Sequence, residues 1–302
     1  MRRTLMSTIV LATAAALLPA APAAARAAAP SLDARPPAAV GSGQNSIEFP
    51  VTLTGTGGQD RAYLRLTITP VPGGDVRPLA RTLLLTYDGA SRRPLTYTTQ
   101  GDTLIATTPS LTGVAEGDTV TFQLGIALQP TTTAPHVDAM RVDIRTEALD
   151  AQGGVLAADP APDRVTLFEP RAELIGLPAQ VRVGTPFEVT VRTTNTTPLA
   201  YNLLLETIYL GRTGDSNRLV TVERRDGARW TTVPGPTDNY FWYVAGNYPS
   251  LQPGGVFEAR LRMTFTDDAA AGEEPWLYHN VYTIFGTPIA TDSRPFTILP
   301  RA

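Results

Sequence analysis

The chain contains no cysteine and no lysine in 302 residues, and its only histidines are His136 and His279. Without cysteine there is no disulfide, no thiolate metal site, no cysteine nucleophile and no lipid-modified N-terminal cysteine. Without lysine there is no Schiff base, no Ser-x-x-Lys nucleophile and no Lys–Asn isopeptide crosslink. Two histidines in different halves of the chain cannot close a zinc site. A triad hydrolase fares no better. His136 follows the loop Thr131-Thr132-Thr133-Ala134-Pro135, and His279 sits mid-strand between Tyr278 and Asn280. Neither is accompanied by a Gly-x-Ser-x-Gly elbow, and Gly214-Asp215-Ser216-Asn217 lies between strands with no helix start to raise its serine. The turn pairs Asp215 with Asn217 and Asp267 with Asp268 supply two or three oxygens each, where calcium takes six to eight. They read as ordinary turn residues. The sequence therefore predicts no catalytic residue, no metal, no cofactor and no enzyme activity.

Basic stretches are equally scarce, the longest being Arg92-Arg93 and Arg224-Arg225 inside the chain. Arg2-Arg3, the apolar run Leu5 to Leu18 and the small residues Ala23 to Ala27 form an export signal, expected to be cleaved after Ala25 or Ala27. Loss of Arg2, Arg3 and Arg26 lowers the net charge from −3 to −6, which argues against nucleic acid and anionic membranes as partners. No later apolar segment reaches the roughly 20 residues of a membrane span. The expectation is an exported protein (periplasmic, cell-surface or extracellular) with no membrane span in the mature chain.

What the chain has instead is one pattern twice. A glycine-bearing turn precedes a long apolar/polar alternation at Glu116 to Leu128 and again at Gln252 to Phe265. Val120, Phe122, Leu124, Ile126 and Leu128 share one parity, as do Phe257, Ala259, Leu261, Met263 and Phe265. Side chains alternate between the two faces of a strand, so both runs are half-buried strands. Further strands are expected from Ile47 to Thr54, through Leu64 to Ile68, at Thr82 to Tyr87, as a hairpin turned at Gln100-Gly101-Asp102, through Met140 to Ile144, and at Val165 to Phe168. A second set runs from Ala172 to Leu299, with a hairpin at Asp226-Gly227. The prolines around Asp159 to Pro170 mark a short, stiff border. The fold class is all-β, two tandem antiparallel sandwiches after a signal peptide: residues 1–27 the signal, 28–43 a flexible Pro/Ala-rich leader, 44–169 the first domain and 170–302 the second.

Val183-Gly184-Thr185-Pro186-Phe187-Glu188-Val189-Thr190-Val191, the Asn195-Thr196 turn and Leu251-Gln252-Pro253-Gly254-Gly255 before a long strand resemble the Ig-like, adhesion-related modules of bacterial secreted and cell-surface proteins. The likeness covers most of residues 171–300, and the first domain more loosely through Gly117-Asp118-Thr119-Val120. It implies an architecture; such modules serve as spacers, adhesins and accessory domains, and the likeness does not choose among them.

The functional hint is aromatic. Phe49, Tyr63, Tyr87, Tyr97, Phe122 and Phe168 precede the border, and every other aromatic, including all three tryptophans, follows it. Tyr240-Phe241-Trp242-Tyr243 is denser than one sheet face absorbs. Tyr240 and Trp242 share a parity, and Asn247 and Tyr248 add an amide and another ring. The residues expected to bind a ligand or partner are Tyr240, Trp242, Asn247 and Tyr248. The function expected is a non-enzymatic structural or interaction protein of the bacterial envelope or extracellular space, its partner a protein or a polysaccharide. The alternatives are a carbohydrate-binding accessory protein and a periplasmic chaperone that donates a strand.

Overall fold

The computed structural model describes residues 29–43, 46–55, 59–73, 79–80, 83–87, 93–114, 117–129, 139–211, 219–235, 241–266 and 270–302. The first thirteen strands are β1 (Ser31–Ala34), β2 (Ala39–Gly41), β3 (Ile47–Thr54), β4 (Gln59–Val71), β5 (Leu83–Tyr87), β6 (Arg93–Pro94), β7 (Tyr97–Gln100), β8 (Thr103–Thr107), β9 (Leu111–Val114), β10 (Thr119–Leu128), β11 (Ala139–Leu149), β12 (Val155–Ala158) and β13 (Asp163–Phe168). They build a sheet ordered β1-β3-β10-β5-β6 and a second ordered β2-β13-β11-β4-β8-β7, with β12 on β11 and β9 on β4. Eleven more follow: β14 (Arg171–Ile175), β15 (Gln180–Arg182), β16 (Phe187–Thr194), β17 (Leu204–Gly211), β18 (Val220–Asp226), β19 (Arg229–Thr232), β20 (Trp242–Tyr243), β21 (Val256–Phe265), β22 (Trp276–Thr283), β23 (Pro288–Pro295) and β24 (Thr297–Leu299). These form β14-β16-β21-β18-β19, the four-stranded β20-β17-β22-β23, and the parallel pair β15-β24.

The two sets repeat one plan. The duplicated alternation of the sequence becomes β10 and β21, each the central strand of its five-stranded sheet. β10 lies between β3 and β5, β21 between β16 and β18. In both sets a short strand pairs in parallel with the last part of the chain, β2 with β13 and β15 with β24. The order is that of an immunoglobulin-type sandwich, A-B-E-D opposite G-F-C. In both, the chain returns to the edge of the C strand (β7-β8 on β4, β20 on β17) after the D strand rather than before it. The other pairings between described strands are antiparallel, so those strands need only turns between them.

Alternation places the core. In β21 Ala259, Leu261, Met263 and Phe265 are buried and Glu258 and Arg260 exposed; in β3 Phe49, Val51 and Leu53 are buried. One apolar cluster runs from Leu32 to Leu167 and a second from Leu174 to Ile298. The second core centres on Phe187, Phe265 and Phe296, whose ring centroids lie 6.0–6.2 Å apart.

Residues 29–43 are not a loose leader. Leu32 and Ala34 on β1 and Val40 on β2 are buried, β1 pairs with β3, and β2 pairs with β13. The sequence hides this because each strand is short and Pro36-Pro37 separates them. The prolines, which lack donors, sit where the chain leaves one sheet for the other. Strand β23 begins and ends on a proline, Pro288 and Pro295. The joint between the two sets is specific. The Ser42 hydroxyl donates to the Ile289 carbonyl at 2.5 Å, and the Thr196 hydroxyl to the Glu169 carbonyl at 3.1 Å. Gly43, at φ 72°, packs so closely on Ile289 that a Cβ there would overlap its side chain. Desolvation at this joint raises the Glu169 carboxyl to about 7.

Candidate partner-binding face

Register decides which aromatics meet. Tyr209 lies opposite Tyr278, Leu205 opposite Tyr282, Gly211 opposite Trp276 and Thr207 opposite both Asn280 and Tyr243. Directly opposed residues share a face, so Trp276, Tyr278 and Tyr282 on β22, Tyr209 on β17 and Tyr243 on β20 all stand on the outer side of the four-stranded sheet. Phe241, two residues before Tyr243, joins them. Leu210, Ile208, Glu206, Leu277, His279, Val281 and Trp242 point the other way and are buried.

The rings form a connected group. Tyr209 and Tyr278 stack with centroids 4.3 Å apart and planes 8° from parallel. Phe241 meets Tyr209 edge-on at 5.3 Å and Tyr282 at 6.2 Å, while Trp276 tilts against Tyr278 at 6.4 Å. Gly211 makes the room. A Cβ there would lie 2.6 Å from the Tyr278 ring, so a side chain would push that ring off Tyr209. Desolvation, reinforced by the neighbouring Tyr278 and Tyr282, raises the Tyr209 hydroxyl to about 12, and desolvation likewise raises Tyr282. These hydroxyls stay neutral hydrogen-bonding groups at any physiological pH.

No charged side chain stands on this face among the described residues. Its remaining positions are Leu205, Thr207, Gly211, Asn280, Thr291, Ser293 and Pro295. At one end, Leu204 to Glu206, Tyr243, Ala245, Gly246, Asn247 and Tyr248 line a recess of about 330 Å³. Tyr243 is 49% and Tyr248 60% exposed. Leu203, beside it, is an exposed apolar residue held at φ 54°. A branched side chain in that region is strained, a state the surroundings must impose. The β22-β23 hairpin tip adds Ile284 and Phe285, the latter 89% exposed.

Of the residues expected to bind, Asn247 and Tyr248 are brought together in the recess and Tyr240 lies outside the described residues. Trp242 is corrected. It is 1% exposed and packs in the second core. Trp242 opposes the inward Ile208 while Tyr243 opposes the outward Thr207. Sequence reasoning missed Tyr209, Tyr278, Tyr282 and Trp276. The available signal was chemical: one parity of β22 reads Leu277, His279, Val281 and the other Trp276, Tyr278, Asn280, Tyr282. Tyrosine and tryptophan keep a polar tip that prefers water.

Behind this face lies a buried polar pair. His279 Nε2 is 2.9 Å from Glu206 Oε2, which also accepts the Thr193 hydroxyl at 2.8 Å. Both side chains are fully enclosed, leaving His279 Nδ1 and Glu206 Oε1 without hydrogen-bond partners. No solvent path reaches the imidazole. His136 and the turn acids Asp215, Asp267 and Asp268 lie outside the described residues. Among those described, no group of three or more His, Asp or Glu is placed to hold a metal, and no helix is long and apolar enough to cross a membrane.

No family model matches the chain, and no curated protein matches it. Similar solved structures include a protein that catalyses macrocyclization in alchivemycin A biosynthesis, 13% identical over 43% of this chain and 89% of that one, with a TM-score of 0.36. The native conformation of Escherichia coli alpha-2-macroglobulin is 11% identical, covering 90% of this chain, with a TM-score of 0.38. This chain spans only 17% of that one. The partial N-terminal region of the enterococcal surface protein is 11% identical over 89% of this chain and 94% of that one, with a TM-score of 0.27. Likenesses at that level assign neither family nor activity, and the functional reading rests on the site.

Proposed function

We propose that the protein is an exported, non-enzymatic structural or interaction protein of the bacterial envelope or extracellular space. In this reading it binds a partner on the outer face of the β20-β17-β22-β23 sheet. One observation carries it: among the described residues, that face is a continuous group of rings and neutral polar groups without a charged side chain. Surfaces of this kind are where aromatic anchors give binding energy, because rings exclude water over a large area at low entropic cost. The signal, Arg2-Arg3 and Leu5 to Leu18, supports export. The enclosed state of His279 supports a non-catalytic role.

A photo-crosslinking residue at Tyr243 tests the reading, with the same residue at Thr264 on the opposite sheet as control. Adducts in the native cell from Tyr243 alone are expected; equal yields from both positions, or none from Tyr243, would remove it. The recess favours a second reading, a neutral glycan held by Tyr243, Tyr248 and the Asn247 amide. Retention on insoluble polysaccharides that is lost on alanine substitution at Tyr243 and Tyr248 would select it.

A further inference from the structure

We infer that the joint between the two sandwiches is a hinge gated by pH, closed while Glu169 is protonated and opening as it ionises.

Each sandwich encloses its own core, and the chain passes from one to the other through Glu169-Pro170, the two residues between β13 and β14. The described contacts that close the joint are few. The Ser42 hydroxyl donates to the Ile289 carbonyl, the Thr196 hydroxyl donates to the Glu169 carbonyl, and Gly43 rests on Ile289. Domains joined by small, polar contacts move relative to each other unless something holds them. A modest free energy therefore decides whether this joint is shut.

Glu169 is placed to supply it. Its side chain is half-buried, and no arginine or hydrogen-bond donor among the described residues reaches its carboxyl. The titratable group that faces it from the second sandwich is Tyr201, whose enclosed hydroxyl lies beside those of Ser42 and Thr197. Arg171, two residues on, reaches Glu173 on its own strand instead. A neutral carboxyl tolerates such a place, whereas a carboxylate without a counter-charge needs water. Burial accordingly raises the group from 4.5 to about 7. Parting the joint admits that water while both cores stay packed. The closed joint keeps the proton and the open joint releases it, so rising pH favours the open form, by about tenfold or more between mildly acidic and mildly basic solution. The hinge also borders the recess: Leu204 lines the recess and packs in one cluster with Tyr201 and Ile289.

Distance measurement across the joint tests this. The chain has no cysteine of its own, so spin labels at Thr121→Cys in the first sandwich and Thr221→Cys in the second, both exposed positions, report how the two sit. Pulsed dipolar spectroscopy should give one narrow distance distribution at about pH 5.5 and a broadened one at about pH 8, on either side of the Glu169 transition. Glu169→Gln, neutral throughout, should stay narrow at both. Gly43→Ala, whose Cβ would overlap Ile289, should be broad at both and calibrates the open joint. A wild-type distribution that is the same at both pH values overturns the inference, and so does a Glu169→Gln variant that still broadens. Broadening accompanied by loss of the strand signal in circular dichroism is unfolding rather than hinge motion, and it overturns the inference as well.

Discussion

Strands β11 and β22 hold the same place in their sandwiches, each between the C strand and the G strand, yet they present opposite chemistry. The outward side of β11 reads Arg141, Asp143, Arg145, Glu147 and its inward side Val142, Ile144, Ala148. The outward side of β22 reads Trp276, Tyr278, Asn280, Tyr282 and its inward side includes His279. On β11 the charges satisfy one another: Arg65 reaches Glu147 at 2.6 Å and Arg164 reaches Asp143 at 2.9 Å. On β22 nothing comparable exists, and the polar pair has moved inside as Glu206 and His279. One scaffold thus carries a self-contained surface in the first sandwich and an unpartnered one in the second. Strand order fixes where a face lies, and side-chain chemistry fixes whether it is finished.

The largest expected effect separates core from surface within one dipeptide. Trp242→Ala should cost about 4 kcal/mol in denaturant unfolding, because it removes a fully buried ring from the second core. Tyr243→Ala should cost under about 1 kcal/mol, since half of its surface is already wet. Equal losses would mean that the inner and outer faces are misassigned. Next comes the buried pair. Glu206→Ala should destabilise by about 3 kcal/mol, leaving His279 enclosed without its partner. The double change Glu206→Leu with His279→Leu should recover most of that loss, because replacing both partners of a buried polar pair by apolar groups leaves neither unsatisfied. No recovery in the double variant would mean that the pair does more than fill a core position.

Much of this contrast was legible in the sequence. The parity of β10 and β21 is unambiguous because apolar and polar residues strictly alternate there. The 226–227 turn announces the β18-β19 hairpin, with Gly227 at φ 62°. The orientation of β20 was not legible. Phe241, Trp242 and Tyr243 are all aromatic, so no polar partner marks the wet side, and the decision falls to β17, more than thirty residues away. The face itself depends on register, Tyr209 against Tyr278, which no local pattern encodes. The leader's strands escaped because segments of three and four residues around prolines carry too little periodicity to read.

A third effect lies at the joint between the two sandwiches. Glu169, partly buried there, titrates at about 7 against an ordinary 4.5, so the folded state favours the protonated form. Between those values the folded chain keeps a proton that the unfolded chain releases. Stability is therefore full below about 4.5, falls as pH rises toward 7, and is flat beyond. Glu169→Gln should remove that part of the slope, read as the difference in denaturant midpoint between the two proteins on either side of the window. An unchanged slope would show that the carboxyl is solvated.

The smallest effect sharpens the comparison of faces most directly. A double-mutant cycle on Arg192 and Glu258, 2.8 Å apart but each about half exposed, should give a coupling of about 0.5 kcal/mol or less, shrinking further in high salt. A cycle on Tyr209 and Tyr278 should give about 1 kcal/mol and be indifferent to salt, since stacked rings interact through dispersion and their quadrupoles. Gly211→Ala should lower that second coupling by displacing the Tyr278 ring. If the ring pair instead weakens with salt, or Gly211→Ala leaves it untouched, the outer face of the second sandwich is held by something other than its rings, and its contrast with the charged face of the first disappears.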